Sequence, residues 1–279
     1  MPSGVLYVVA TPIGNLEDVT LRALRVLREV EVIAAEDTRR TRILLSRHGI
    51  ERPLISYYDA VERRRAPSIV ERLKAGASVA LVSDAGTPGI ADPGYHLIRG
   101  ALAAGLSVVP IPGPSAVTAL VSVAGLPADR FVFEGFLPTR PGARAARLVA
   151  LAGEPRALVF FEAARRLAAF LAAAETALGD REATIARELT KQHEELLRGT
   201  LGDLAGRIGR VERLRGEVTV VIAGAPAEER QVDDAELDER IRTARAAGQS
   251  AAGIAAALAR ETGRARREIY RRAMTLARG

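Results

Sequence analysis

Short apolar runs recur along the first 124 positions, each followed by a small-residue loop and a stretch with helical spacing. Residues 5–10, 30–35, 54–57, 79–82 and 106–111 are short and mostly β-branched, which predicts buried strands. Between them, Leu21, Leu24 and Leu27 share one face of a helix that begins near Leu16. Arg22, Arg25 and Arg28 take the opposite face, and Glu17 and Asp18 lie at the start, where the helix dipole favours negative charge. Further helices are predicted over 41–48, 69–74, 95–104 and 116–124, the last N-capped by Ser115. Residues 59–65 read as a polar loop or a helix start. Strand, loop, helix in repetition predicts an open, mainly parallel α/β sheet.

Gly125-Leu126-Pro127 reads as a linker to a second α/β half. Strands are expected over 131–135, 157–161, 182–187 and 216–224, with helices over 144–152, from the Glu162 strand end to Leu178, and within 199–213. Residues 194–197 fit either a short helix or a strand. Residues 225–231 have linker composition. Three helical pieces then cover 234–247, 250–261 and 264–277, broken at Gly248 and Gly263, with Ser250 able to cap the second. The expected organisation is thus 1–124, 125–225 and a helical module over 233–279.

One connection exceeds its structural need. After the apolar run 79–82 come Ser83-Asp84, then Gly86, Pro88, Gly89, Pro93 and Gly94. Ordinary βα connections take ~2–6 residues. Glycines let a backbone approach a ligand and prolines hold one loop shape. In a parallel sheet this loop joins those after Ala10, Ala35 and Ile111 at the strands' C-terminal edge, where α/β proteins bind ligands. Asp84 and Asp92 are its two carboxylates.

Composition changes this picture in two ways. There is no cysteine, which removes disulfides, thiol nucleophiles and Cys-ligated zinc. No secretory leader or membrane span is expected, and no metal site, since His48, His96 and His193 lack ligand spacing. Net charge is +6, which favours a polyanionic partner. Only Lys74 and Lys191 are lysines, and the arginines crowd the end of the chain: seven lie between Arg260 and Gly279, against two glutamates. A helix, a turn and a basic helix is similar to a small helix-turn-helix module. Neither GxxxxGK[ST] nor GxGxxG follows the first strand, and no GxSxG occurs, which weighs against P-loop, dinucleotide and serine-hydrolase chemistry. What remains is a set of small-residue loops with a few carboxylates, suited to a zwitterionic or nucleoside ligand.

ATPIGNLEDVTLRAL (10–24), AAEDTRRT (34–41), LVSDAGTPGIADPGYHL (81–97), PIPGPSA (110–116), GLPADRFVFEGFLP (125–138), ARELTKQHEE (186–195) and GEVTVVIAG (216–224) together resemble the tetrapyrrole-methylase superfamily of S-adenosylmethionine (SAM) methyltransferases. Within it they resemble the branch acting on ribosomal RNA. The resemblance implies two α/β domains with SAM in the cleft between them, plus the small all-helical C-terminal module. It implies a cytoplasmic homodimer that 2′-O-methylates a cytidine ribose in the decoding region of 16S rRNA on the small ribosomal subunit. Carried over by position, the SAM site takes Pro12, Asp84, Gly86, Thr87, Ser115, Ala116, Phe161, Leu189 and Thr219. The candidates for assisting the ribose hydroxyl are Glu36, Asp37, Arg39, Glu188 and Lys191, the last having stayed lysine in an arginine-rich chain. RNA contacts are expected from Arg40, Arg140, Arg144, Arg165, Arg264, Arg267 and Arg271. Arg165 stands where the family usually has histidine, which withdraws a catalytic histidine from that place.

Two other classes share parts of this pattern. A corrin-type small-molecule methyltransferase would use the same SAM loops but not EDTR or the basic tail. A non-catalytic RNA-binding assembly factor would keep the fold without binding SAM.

Overall fold

The computed structural model describes residues 4–211, 214–226 and 233–276. In chain order the first half comprises β1 (Val5–Val9), α1 (Leu21–Glu29), β2 (Val32–Ala35), α2 (Thr38–Arg47), β3 (Leu54–Ser56), α3 (Asp59–Lys74), β4 (Val79–Val82), α4 (Tyr95–Ala103), β5 (Ser107–Ile111) and α5 (Ala116–Val123). Its five strands are all parallel, in the order β3-β2-β4-β1-β5. Alternation along β4 assigns the two faces. Val79 and Leu81 pack with Ile69, Leu73 and Leu97 of α3 and α4, while Ala80 and Val82 pack with Leu24, Leu27 and Leu45 of α1 and α2.

The second half comprises β6 (Phe131–Phe136), α6 (Pro141–Ala150), β7 (Ala157–Ala163), α7 (Leu167–Leu178), β8 (Glu182–Arg187), β9 (Glu195–Thr200), α8 (Leu201–Ile208) and β10 (Glu217–Ile222). Its sheet runs β6-β7-β10-β8-β9 and is mixed: β6 and β7 are parallel, the remaining pairs antiparallel. Leu158 and Phe160 of β7 face α7 and α8. On the other face, Ala157 and Val159 pack against Val117 and Leu120 of α5, so the last helix of the first half is built into the second sheet's core. Thr184 Oγ1 donates to the Ala124 carbonyl at 2.9 Å and Arg198 to the Val123 carbonyl at 2.7 Å, tying the junction down further. By compactness, residues 1–225 form one unit and 226–279 another.

The second unit holds α9 (Asp234–Ala246), α10 (Ala251–Thr262) and α11 (Arg266–Thr275) around Leu237, Ile241, Ile254, Leu258 and Ile269. Asp233 and Ser250 cap α9 and α10 by accepting from Glu236 N and Gly253 N. Gly263 closes α10 in the left-handed conformation, φ +71°. Of the linker expected over 225–231, residues 227–231 lie outside the described residues, as do Ala277 and Arg278 of the tail.

Three sequence expectations are revised, and the one left open between loop and helix start is helix. The first helix begins at Leu21 after a separate 3₁₀ turn over Leu16–Asp18, because Thr20 stays extended and its hydroxyl accepts from Ala23 N. Leu21 is 86% exposed, and the buried face is Ala23, Leu24, Val26 and Leu27. Residues 59–74 form one helix through Pro67, which lies on the exposed face where water can satisfy the freed carbonyl. Ser115 occupies the N-cap position of α5, but its side chain makes no capping hydrogen bond. Among the described residues no helix is long and apolar enough to cross a membrane.

Candidate active site

Parallel strands deliver the loops after β1, β2, β4 and β5 to one sheet edge, and short bonds lock them together. Thr11 and Gly86 exchange backbone hydrogen bonds at 2.8 and 3.0 Å, and Thr11 Oγ1 donates to the Ser83 carbonyl at 3.1 Å. Gly86 sits at φ +80°, a conformation glycine takes without strain. The ends of β2 and β4 are joined reciprocally: Asp84 N donates to Glu36 Oε2 at 3.0 Å, and Asp37 N donates to Asp84 Oδ1 at 2.9 Å.

Between this edge and the second sheet lies a cavity of about 390 Å³. Gly86, Thr87, Ser115 and Ala116 line it from the first half, Phe161, Leu189 and Thr219 from the second. Phe161 meets Phe133 and Phe136 with ring centroids 5.0 and 5.6 Å apart, which gives the cavity an aromatic wall. A second cavity of about 290 Å³ adjoins it, lined by Pro12, Gly14, Arg40, Asp84 and their neighbours. Ile13, Ala85, Lys191 and Glu217 line both. Pro12 and Asp84, expected among the SAM ligands, therefore line the neighbouring cavity. The Asp84 carboxylate is turned toward Asp37 N and lies 3.6 Å from Arg40.

Lys191 is the cation among the four residues at the junction. Its Nζ donates to Glu188 Oε1 and Glu217 Oε2, both at 2.9 Å. Burial works to lower its pKa, but the two carboxylates outweigh it and hold the amine above its usual range. Burial also works to raise the Glu188 pKa, and the Lys191 ammonium with the Glu217 N–H, 3.0 Å away, brings it below the usual carboxylate range. Lys191 is thus an ammonium between two carboxylates in this arrangement. Two glycines make the closeness possible: a Cβ on Gly14 would stand 2.4 Å from Lys191 Cγ, and one on Gly216 would stand 2.3 Å from Glu188 Oε1.

Backbone strain collects here too. Among the described residues the non-glycine positions with left-handed φ are Ala91 (63°), Glu188 (54°) and Thr190 (65°). Glu188 and Thr190 flank the approach to Lys191. Ala91 precedes Asp92, which lines the larger cavity. Burial, reinforced by the charges of Glu36 and Asp84, pushes Asp92 up to about 7. Such strain persists where the surroundings over-determine it, commonly at ligand sites. In the sequence Asp92 is legible only as a second carboxylate of the loop, and Glu217 only as part of the GEVTVVIAG motif, with no role attached.

Other candidates have different surroundings. Glu36 commits one oxygen to Asp84 N, and burial raises its pKa despite that bond. Arg39 is 88% exposed at its side chain and pairs with Asp37 at 2.6 Å, in the cap of α2 and outside both cavities. Arg144, expected at an RNA surface, is only 9% exposed because it points with Leu148 from the packed face of α6, and its Nε has no partner among the described residues. Arg140 is exposed at the N-cap of α6. Arg165 is exposed at the rim of the larger cavity. Arg264 is held by Asp234 at 2.7 Å and by Glu268, whereas Arg267 and Arg271 are exposed.

The fit to SAM can be judged from these walls. The cavity is within the ~300–1,000 Å³ of small-molecule sites. Its apolar side, Ile13, Phe136, Phe161, Leu189 and Val218, suits a nucleobase. Asp92, Thr87, Ser115 and Thr219 suit hydroxyl and ammonium groups.

The sequence profile of the Tetrapyrrole (Corrin/Porphyrin) Methylases matches residues 5–205. A Mesorhizobium japonicum protein named Ribosomal RNA small subunit methyltransferase I is 46% identical over 97% of this chain and 92% of its own. One of the same name from Thermotoga maritima is 48% identical over 221 residues, 79% of this chain and 99% of its own. The crystal structure of uroporphyrin-III C-methyl transferase from Thermus thermophilus, complexed with S-adenyl homocysteine, superposes with a TM-score of 0.56 at 22% identity, over 78% of this chain and 97% of that one. The chain belongs to the tetrapyrrole (corrin/porphyrin) methylase family of SAM-dependent methyltransferases, among the ribosomal RNA small subunit methyltransferases I.

Proposed function

We propose that the protein 2′-O-methylates a cytidine ribose in the decoding region of small-subunit ribosomal RNA. In this reading SAM occupies the 390 Å³ cavity and the acceptor nucleotide enters the adjoining 290 Å³ one. The observation that carries it is the pair of contiguous cavities with Lys191 at their junction. The reading takes 1–124 and 125–225 as the two domains that enclose SAM. It includes a homodimer and the assembled small subunit as substrate.

Bound SAM supplies an electrophilic methyl carbon on a sulfonium. Gly86 and Thr87 would bring loop backbone to it, Phe161 and Leu189 would hold the base, and Asp92 would meet its ammonium group. Holding acceptor and donor in line is worth ~7–11 kcal/mol where alignment is good. A ribose hydroxyl is a weak nucleophile, so its proton must leave as the bond to carbon forms. Glu217, with a side chain 65% exposed against 21% for Glu188, is the carboxylate that an incoming ribose displaces from Lys191. The freed carboxylate accepts the hydroxyl proton while the ammonium steadies the oxygen. Glu188 keeps Lys191 in place, and Arg40 beside Asp84 offers a cation to the RNA backbone.

The test is methylation of purified small subunits with labelled SAM, followed by nucleoside mapping of the 16S rRNA. Label in a 2′-O-methylcytidine supports the reading; label on a base, or none, overturns it.

A further inference from the structure

The helical tail divides its arginines into two sets. Ile269 and Ala273 turn α11 inward onto α9 and α10. On one flank Arg272 bonds the carboxylates of Asp238 and Asp234, with contacts at 3.1 and 3.0 Å, and Arg264 bonds Asp234 and Glu268. Those guanidinium groups are occupied in holding three helices together.

The other flank is different. Arg267, Tyr270, Arg271 and Met274 recur at three- and four-residue spacing, so they share one face of the helix. Tyr270 is 43% exposed and Met274 40%, and Arg267 and Arg271 have no carboxylate partner among the described residues. A tyrosine between two free guanidinium groups offers a π-face to a base and cations to the phosphates on either side. A duplex backbone would need only the charges; the exposed aromatic and thioether suit an unstacked base. Of the acidic residues of α9, Asp234 and Asp238 are spent on the opposite flank and Glu236 and Glu239 pair with Arg240 and Arg242 of α9 itself, so charge also directs a polyanion to this face.

We propose that the Arg267–Tyr270–Arg271–Met274 face of α11 is a docking surface for single-stranded RNA, with Tyr270 stacking on an unpaired base and the arginines holding its phosphates. The proposal deepens the ribosomal-RNA reading and rests on it. The T. maritima relative supports an accessory role: 221 aligned residues account for 99% of it, and every cavity residue described above lies within 1–225 of this chain.

The experiment uses full-length protein, a labelled 15-nucleotide single-stranded RNA and a hairpin duplex of matched composition. SAM binding by calorimetry is the control. Tyr270→Ala is expected to weaken single-strand binding ~5–100-fold, Tyr270→Phe to leave it within about twofold, and both to keep SAM affinity. The double variant Arg267→Ala/Arg271→Ala is expected to flatten the dependence of log K on log salt by ~1.4. Unchanged binding by Tyr270→Ala, an equal loss in Tyr270→Phe, or a preference for the hairpin overturns the proposal. If wild-type protein leaves small subunits unmethylated yet shows Tyr270-dependent binding, the methylation reading fails and the docking surface stands. If it methylates subunits and the variants bind as wild type does, the docking surface alone fails.

Discussion

The stem of Lys191 lies against the bare Cα of Gly14: a Cβ there would be 2.4 Å from Lys191 Cγ, 2.9 Å from the Leu189 carbonyl and 3.0 Å from Thr190 Oγ1. The first loop of one half and the ELTK segment of the other are in contact because position 14 has no side chain. Gly14→Ala therefore pushes the lysine out of line. Methyl transfer is expected to fall ~10²-fold, the scale of a misplacement near 1 Å. SAM affinity, read by calorimetry, should change much less. Wild-type turnover would show that the contact is incidental.

Lys191→Ala removes the junction cation and leaves Glu188 and Glu217 facing each other. Methylation of small subunits is expected to fall ~10²–10⁴-fold while SAM still binds. Lys191→Arg should not restore it, because a planar guanidinium cannot make the same pair of bonds over Gly14. Turnover by either variant at the wild-type rate removes Lys191 from the chemistry.

Asp92 gives a pH dependence with a definite sign. Its folded-state pKa of about 7 lies above the ordinary 3.8. The stability it contributes is full below ~4 and is lost as pH rises through 7. Asp92→Asn removes that loss. The variant should be more stable than wild type at pH 8, by about 1–2 kcal/mol once solvent screening of a part-exposed carboxyl is allowed for, and no more stable at pH 4. Denaturant titrations at the two pH values check this; equal midpoints at pH 8 contradict it.

Arg144 and Arg140 should separate cleanly. Arg144 is buried with an unpartnered Nε, so Arg144→Met is expected to leave RNA affinity unchanged and stability equal or higher. Arg140 is exposed, and Arg140→Ala should weaken RNA binding at every sequence and reduce the salt slope by ~0.7–0.9. Gel-shift titrations at several salt concentrations distinguish them, and a loss of RNA affinity in Arg144→Met would return that residue to the interface.

Much of the scaffold follows from local pattern. Strand and helix placement in the first half is set by β-branched runs and by Gly and Pro, which act within a few residues. The same holds for the three tail helices, stopped at Gly248 and Gly263. Errors fall where a local rule had a non-local or exposed alternative. Pro67 is tolerated because its side of α3 faces water, and the helix expected from Leu16 waits for the Thr20 cap. The β8–β9 hairpin is ambiguous in sequence because residues 194–197 have no single period, and it is the sheet edge at β8 that makes 195–200 a strand.

By itself the sequence determined the order of elements, the loops that gather at a parallel sheet's edge and, through its motifs, the family. Tertiary structure alone decided which charges are free and which are spent. Glu36 and Arg39 are candidates by sequence for assisting or positioning the substrate and Arg264 for RNA contact; in the fold they also hold an Asp84 N–H, the cap of α2 and the tail's helices. Asp92 and Glu217 read as ordinary acids, yet the fold brings one into a cavity and the other onto Lys191. The reason is physical. Propensity and capping act over a turn or two of chain, whereas a carboxylate's role depends on burial and on partners tens to hundreds of residues away.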